Sequence, residues 1–91
     1  MAKNDCLMCY FNLFTANQSV ILLTDEGAKE LGSYSTAEIA KKLAELCEEY
    51  EVNTVRLVGD HTYLDRIAER IQDAPAIYGL EKVKKIKTEI Y

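Results

Sequence analysis

Cys6-Leu7-Met8-Cys9-Tyr10-Phe11-Asn12-Leu13-Phe14 decides how the rest of the chain is read, because every position except Asn12 is apolar. A run without alternation suits a β-strand covered on both faces, the habit of a central strand in an α/β sheet. Asn12, buried on such a strand, needs hydrogen-bond partners, since an unsatisfied amide costs about 1–3 kcal/mol. Working outward, Ala16-Asn17-Gln18 reads as a turn and Val20-Ile21-Leu22-Leu23 as the strand that returns beside the first. Asp25-Glu26-Gly27 then forms a short hairpin loop in which Gly27 takes a positive φ. Lys29-Glu30-Leu31-Gly32-Ser33-Tyr34 follows as a third strand, whose charges and glycine are those an exposed sheet edge uses against pairing with other chains.

Beyond this meander, Ser35-Thr36-Ala37-Glu38 matches a capping box, with the Ser35 hydroxyl and the Glu38 carboxylate closing the first turn of a helix. Ile39, Leu43, Leu46, Cys47 and Tyr50 recur at helical spacing, while Lys41, Lys42, Glu45, Glu48 and Glu49 fall on the opposite, solvent side. Val52–Val58 is β-branched and leads into Gly59-Asp60, as a strand does before a loop. Thr62 caps a second helix with Leu64, Ile67, Ala68 and Ile71 as its buried stripe, and Ala74-Pro75 ends it. Ile86, Thr88 and Ile90 alternate with charged residues and predict a last strand, although Val83, Ile86 and Ile90 also fit a helix. The expected fold class is therefore α/β, a five-stranded mixed sheet in β-β-β-α-β-α-β order with the helices packed on it. Right-handed crossovers set each new parallel strand beside the first, opposite the hairpins.

A chain of 91 residues allows one domain, 1–91, with residues 1–5 expected to be flexible. No apolar stretch approaches the roughly 20 residues of a membrane-spanning helix, and no small-residue cleavage site follows the first apolar run. A cytoplasmic location is the expectation, and no membrane partner. Three cysteines are an odd count, which suits unpaired thiols in a reducing compartment. A net charge of −4 disfavours nucleic acid as a partner, because gripping phosphates requires a basic surface.

The three-stranded meander, the helix that opens with an acidic residue, the strand that ends in Asp and the second helix together resemble the ribonuclease H-like fold. The residues that carry this are Val20–Leu31 around Asp25-Glu26-Gly27, the helical Thr36-Ala37-Glu38-Ile39-Ala40, and Leu57-Val58-Gly59-Asp60-His61-Thr62-Tyr63-Leu64. In that family a first-strand Asp, a helical Glu and a later Asp hold two magnesium ions that cleave nucleic-acid phosphodiesters. The resemblance implies that Asn12, Glu38 and Asp60 form the catalytic set, with Glu38 and Asp60 as ligands of Mg²⁺ or Mn²⁺. The pattern breaks at Asn12, where the family has its Asp, and the family's final helix has no counterpart before Tyr91. The chain thus reads as a degenerate member acting as a binding or oligomerisation module, with a protein partner or a second copy docking through the sheet edges. The alternative is a metal-dependent nuclease acting on RNA or RNA–DNA hybrids, completed by a partner chain or by Asp65.

Each candidate also has a plain structural role. Glu38 completes the capping box and Asp60 caps or turns at a helix entrance. Cys6-Leu7-Met8-Cys9 has the spacing of redox and zinc motifs, yet on a strand these two side chains point to opposite faces, so core packing is the better reading. His61 is read as a solvated loop histidine, with a general base as its functional alternative. Gly59-Asp60-His61-Thr62 offers free N–H groups for an anion, but Asp60 repels a phosphate unless a metal intervenes. Lys82, Lys84, Lys85 and Lys87 are the one basic cluster, read as a solvated edge or as a docking patch for an acidic partner or nucleic acid.

Overall fold

In the computed structural model, residues 5–12, 14–59 and 61–91 are described, with the backbone alone at His61 and Thr62. The elements run β1 (Cys6–Tyr10), β2 (Asn17–Thr24), β3 (Gly27–Ser35), α1 (Ile39–Tyr50), β4 (Thr54–Val58), α2 (His61–Ile77) and β5 (Lys87–Ile90). They form an α/β fold with one five-stranded mixed sheet in the order β3-β2-β1-β4-β5. β1 is antiparallel to β2 and parallel to β4, and β5 is parallel to β4. Both crossovers thus extend the sheet on the side of β1 away from the hairpin, where right-handed connections put them. The tail, which fitted both strand and helix in sequence, is the strand.

Side-chain parity decides which face is filled. Leu7 and Cys9 of β1 align with Leu22 and Val20 of β2 and with Val55 and Leu57 of β4, and all six point into the core. Onto them pack Ile39, Leu43, Ala44 and Cys47 of α1 and Leu64, Ile67, Ala68 and Ile71 of α2. Each large aliphatic side chain buried here contributes about 1.5–3 kcal/mol. The expected stripes of both helices are therefore largely as the periodicity set them. Leu46 and Tyr50 sit at the margin, and Ala44 takes an inner place. β1 is central, as expected, but no described helix covers its second face. Cys6, Met8 and Tyr10 point there, in register with Leu23, Ile21 and Ser19.

Several expectations need correction, one being that Thr62 lies inside α2, which begins at His61, and so does not cap it. β1 stops at Tyr10 instead of running to Phe14. The Phe11 N–H still donates to the Val58 carbonyl at 2.8 Å, but the chain then turns at Asn12, and Phe14 is 96% exposed. The capping box does not form. Ser35 stays in β3, paired with Asn17, while Glu38 is the N-cap of α1 and makes no side-chain cap bond. Pro75 does not end α2, which continues to Ile77. Proline lacks only the N–H that would reach Ile71, and the helix closes one turn later. There the Leu80 N–H donates to the Pro75 carbonyl at 3.0 Å and Gly79 adopts φ 63°.

Candidate functional site

The carboxyl ends of parallel strands are where an open α/β sheet presents ligand sites, and here β1 and β4 end side by side. Their approach is close because residue 59 is glycine. At φ 151°, a Cβ on Gly59 would lie 3.0 Å from the Phe11 carbonyl oxygen and 3.1 Å from the Phe11 Cβ. The Phe11 ring meets Tyr63 of α2 edge-on, with centroids 6.0 Å apart and planes at 61°. Beside this pair lies a cavity of about 220 Å³ walled by Phe11, Asn12, Thr15, Gln18, Thr36 and Tyr63.

Gln18 organises that cavity. It is 3% exposed, the one buried polar side chain among the described residues. Its Oε1 accepts from the Asn12 N–H at 2.8 Å. Its Nε2 donates to the carbonyls of Asn12 and Thr15 at 3.2 and 3.3 Å and to Thr36 Oγ1 at 3.0 Å. Thr36 in turn donates from its hydroxyl to the Ala16 carbonyl at 3.1 Å. The start of β2 is thereby tied both to the loop after β1 and to the turn before α1. Sequence reading put Gln18 in a turn. The missed signal was parity, since Gln18, Val20 and Leu22 alternate and share one face.

Asn12, expected on the strand and buried, is exposed in the loop. Its Oδ1 accepts from the Phe14 N–H at 2.9 Å, an Asx turn that satisfies the amide oxygen locally. Glu38 is exposed at the mouth of α1 and is not among the cavity's walls, although Thr36, two residues earlier, is. Asp60 lies outside the described residues, as do the side chains of His61 and Thr62 and the expected flexibility of residues 1–4. Asp65 is exposed on α2. Among the described residues, no group of three or more His, Cys, Asp and Glu side chains is placed to hold a metal ion. The walls of the cavity are aromatic rings, amides and hydroxyls, whose hydrogen bonds run largely to one another.

The cysteines are packing residues. Cys9 and Cys47 are wholly buried, and burial pushes both thiols up to about 12, far from the reactive thiolate. Cys6, on the opposite sheet face from Cys9, is also raised, first by burial, with Arg56 opposing that shift. On that face Arg56 Nε donates to Glu89 Oε1 at 3.1 Å, which ties β4 to β5.

A second polar device was read as plain solvent surface. Glu48 of α1 reaches the segment that enters β5, where its Oε1 accepts from the N–H groups of Glu81 and Lys82 at 3.0 and 2.9 Å. Its Oε2 accepts from those of Lys82 and Val83 at 3.0 and 2.9 Å. These bonds, the one from Lys82 foremost, hold the Glu48 carboxyl below its ordinary value. In the basic cluster, Lys84 Nζ donates to the Leu80 carbonyl at 3.1 Å and Lys87 pairs with Glu89 at 3.5 Å, while Lys82 and Lys85 are exposed.

No described helix is long and apolar enough to cross a membrane. No family model matches the chain, and no curated protein matches it.

Proposed function

We propose that this chain is a degenerate ribonuclease H-like domain that works by binding, with a second copy docking along an exposed sheet edge. The observation that carries the reading is the chemistry at the ends of β1 and β4. Hydrolysis by Mg²⁺ requires carboxylates that converge on one point. The residue that the resemblance matches to the family's first-strand Asp is a neutral amide, Asn12, which lies in the loop after β1 and whose oxygen already serves the Phe14 N–H. The strand order with β2 alone antiparallel suits the family resemblance, as do the two helices on one face. Docking is favoured by β3, a nine-residue edge strand with a largely exposed row of side chains. Its outer N–H and C=O groups offer a template for a further strand.

Calorimetric titration with Mn²⁺, a gel assay on an RNA–DNA hybrid and sedimentation over a range of concentrations test this together. The expected outcome is no cleavage, and a monomer–dimer equilibrium that weakens when the exposed Ala28 of β3 is replaced by Lys. Saturable Mn²⁺ binding accompanied by hybrid cleavage would overturn the reading. It would favour a nuclease built on Glu38 and Asp60, for which the supporting observation is that the Glu38 carboxylate makes no cap bond to α1. A strict monomer at high concentration would refute the second copy as the partner.

A further inference from the structure

The four bonds to Glu48 do more than describe a latch, because they reveal what the Glu81–Val83 backbone recognises. Three successive N–H groups point at one anion, the concave arrangement by which irregular backbone binds phosphates and carboxylates. Two of the four distances, at 2.9 Å, reach the range of charge-assisted bonds, and the other two, at 3.0 Å, are ordinary N–H···O lengths. The loop is also the most basic part of the chain, with lysines at 82, 84, 85 and 87. A single carboxylate brings one negative charge to this cluster, and a phosphate dianion brings nearly two and more oxygens. No helix N-terminus lies within residues 81–83, which sit between α2 and β5.

We propose that Glu81–Val83 is an oxyanion-binding loop for a phosphate-class ligand, closed in the free chain by the Glu48 carboxylate. Glu48 acts as a tethered competitor. It is carried on a rigid helix at high effective concentration, so a free anion at ordinary levels does not displace it. Withdrawing the carboxylate opens the loop and exposes the same three donors together with Lys82. The inference is independent of the sheet-edge reading, and neither fails with the other.

The test is a titration of the whole chain and of Glu48→Ala with inorganic phosphate, with sodium chloride at matched ionic strength as the control. Backbone amide shifts by NMR report the site, and the melting temperature reports the linked stabilisation. In Glu48→Ala, phosphate is expected to bind saturably, to shift the amides of Glu81, Lys82 and Val83, and to raise the melting temperature. The unsubstituted chain is expected to bind at least about tenfold more weakly, because its tethered carboxylate competes. Adding Lys82→Ala to the Glu48→Ala background is expected to weaken phosphate severalfold. If Glu48→Ala folds poorly, Glu48→Gln keeps the side-chain volume, and phosphate should restore its melting temperature where chloride does not. Equal responses to phosphate and chloride, or phosphate shifts away from residues 81–83, would overturn the proposal.

Discussion

Replacing Gln18 by Leu keeps the volume of the side chain and deletes its hydrogen bonds, so it isolates what the buried amide contributes. The Asn12 N–H loses its acceptor at 2.8 Å and the Thr15 carbonyl loses its donor at 3.3 Å. The Asn12 carbonyl still receives the Thr15 N–H and hydroxyl, both at 3.2 Å, and the Thr36 hydroxyl still donates to Ala16. One part-buried orphan N–H costs about 1–3 kcal/mol, and the lost bond to Thr15, an exposed residue, about 0.5–1 kcal/mol because water replaces it. Leucine recovers about 1 kcal/mol by burial, which leaves a net loss of about 2 kcal/mol. For a domain this small that lowers the melting temperature by about 8–16 °C. Urea titration followed by circular dichroism should show an earlier midpoint with an unchanged slope. Gln18→Glu supplies a sharper control. Its carboxylate still accepts from Asn12 but faces two carbonyl oxygens without a proton to give, which raises its folded pKa above the unfolded value. Stability is then retained below the unfolded pKa and lost as pH rises through the folded one. Near pH 7, therefore, Gln18→Glu should fall below Gln18→Leu, and acidification should narrow the gap. A Gln18→Leu midpoint within about 0.5 kcal/mol of the parent would refute the reasoning, because surface changes routinely stay within that margin.

Gly59→Ala should destabilise by about 2–4 kcal/mol, the sum of a strained positive φ and a methyl forced to 3.0 Å from the Phe11 carbonyl, read by the same urea titration. Glu51 closes α1 at φ 55° and ψ 43°, a left-handed conformation that costs an L side chain about 1–2 kcal/mol; Glu51→Gly should therefore stabilise by about 0.5–1 kcal/mol in thermal melts. Backbone N–H donors, that of Lys82 foremost, hold the Glu48 carboxyl below its ordinary 4.5, and the Arg56 guanidinium does the same for Glu89. Both carboxylates thus stabilise the fold above the unfolded value, and that stability is lost as pH falls through the folded values beneath it. Melting temperature followed from pH 6 down to about pH 2 should decline less steeply below 4.5 in Glu48→Gln than in the parent chain.

Much of the fold was legible because it follows from periods and handedness. Val20 and Leu22, Val55 and Leu57, and the stripe Leu64, Ile67, Ala68 and Ile71 are inward on simple spacing, and all are buried. Strand order needed only the crossover rule. Element ends were harder to read, since they depend on bonds made at a distance. The apolar run seemed to continue β1 through Phe14, yet one residue after the last β4 partner the chain turns, because Gln18 and Phe14 offer Asn12 better local bonds. Ser35 had the composition of an N-cap, but pairing with Asn17 in the sheet claimed its backbone first. Pro75 looked like a terminator, and a buried place in the last turn of α2 outweighed one missing N–H.

The site was less legible for a related reason. Sequence motifs flag residues by type, and carboxylates drew attention at 38 and 60, whereas the organising groups are an amide and a glutamate whose partners lie far along the chain. Gln18 acts on Thr36, and Glu48 acts on residues 81–83, separations of 18 and up to 35 positions. No local pattern encodes such pairings, because the acceptors and donors involved are mostly backbone groups that every residue possesses. The two cases also differ in kind. Gln18 makes its bonds to the loop after β1 and the turn before α1, so they fix the geometry of the β1–β4 mouth. Glu48 is one partner in a contact whose other half is intrinsically an anion receptor, so substitution at 48 does more than weaken the fold. If both were simple staples, phosphate would stabilise neither variant. Selective recovery of Glu48→Ala by phosphate, with Gln18→Leu unmoved, separates a binding loop from a structural tie.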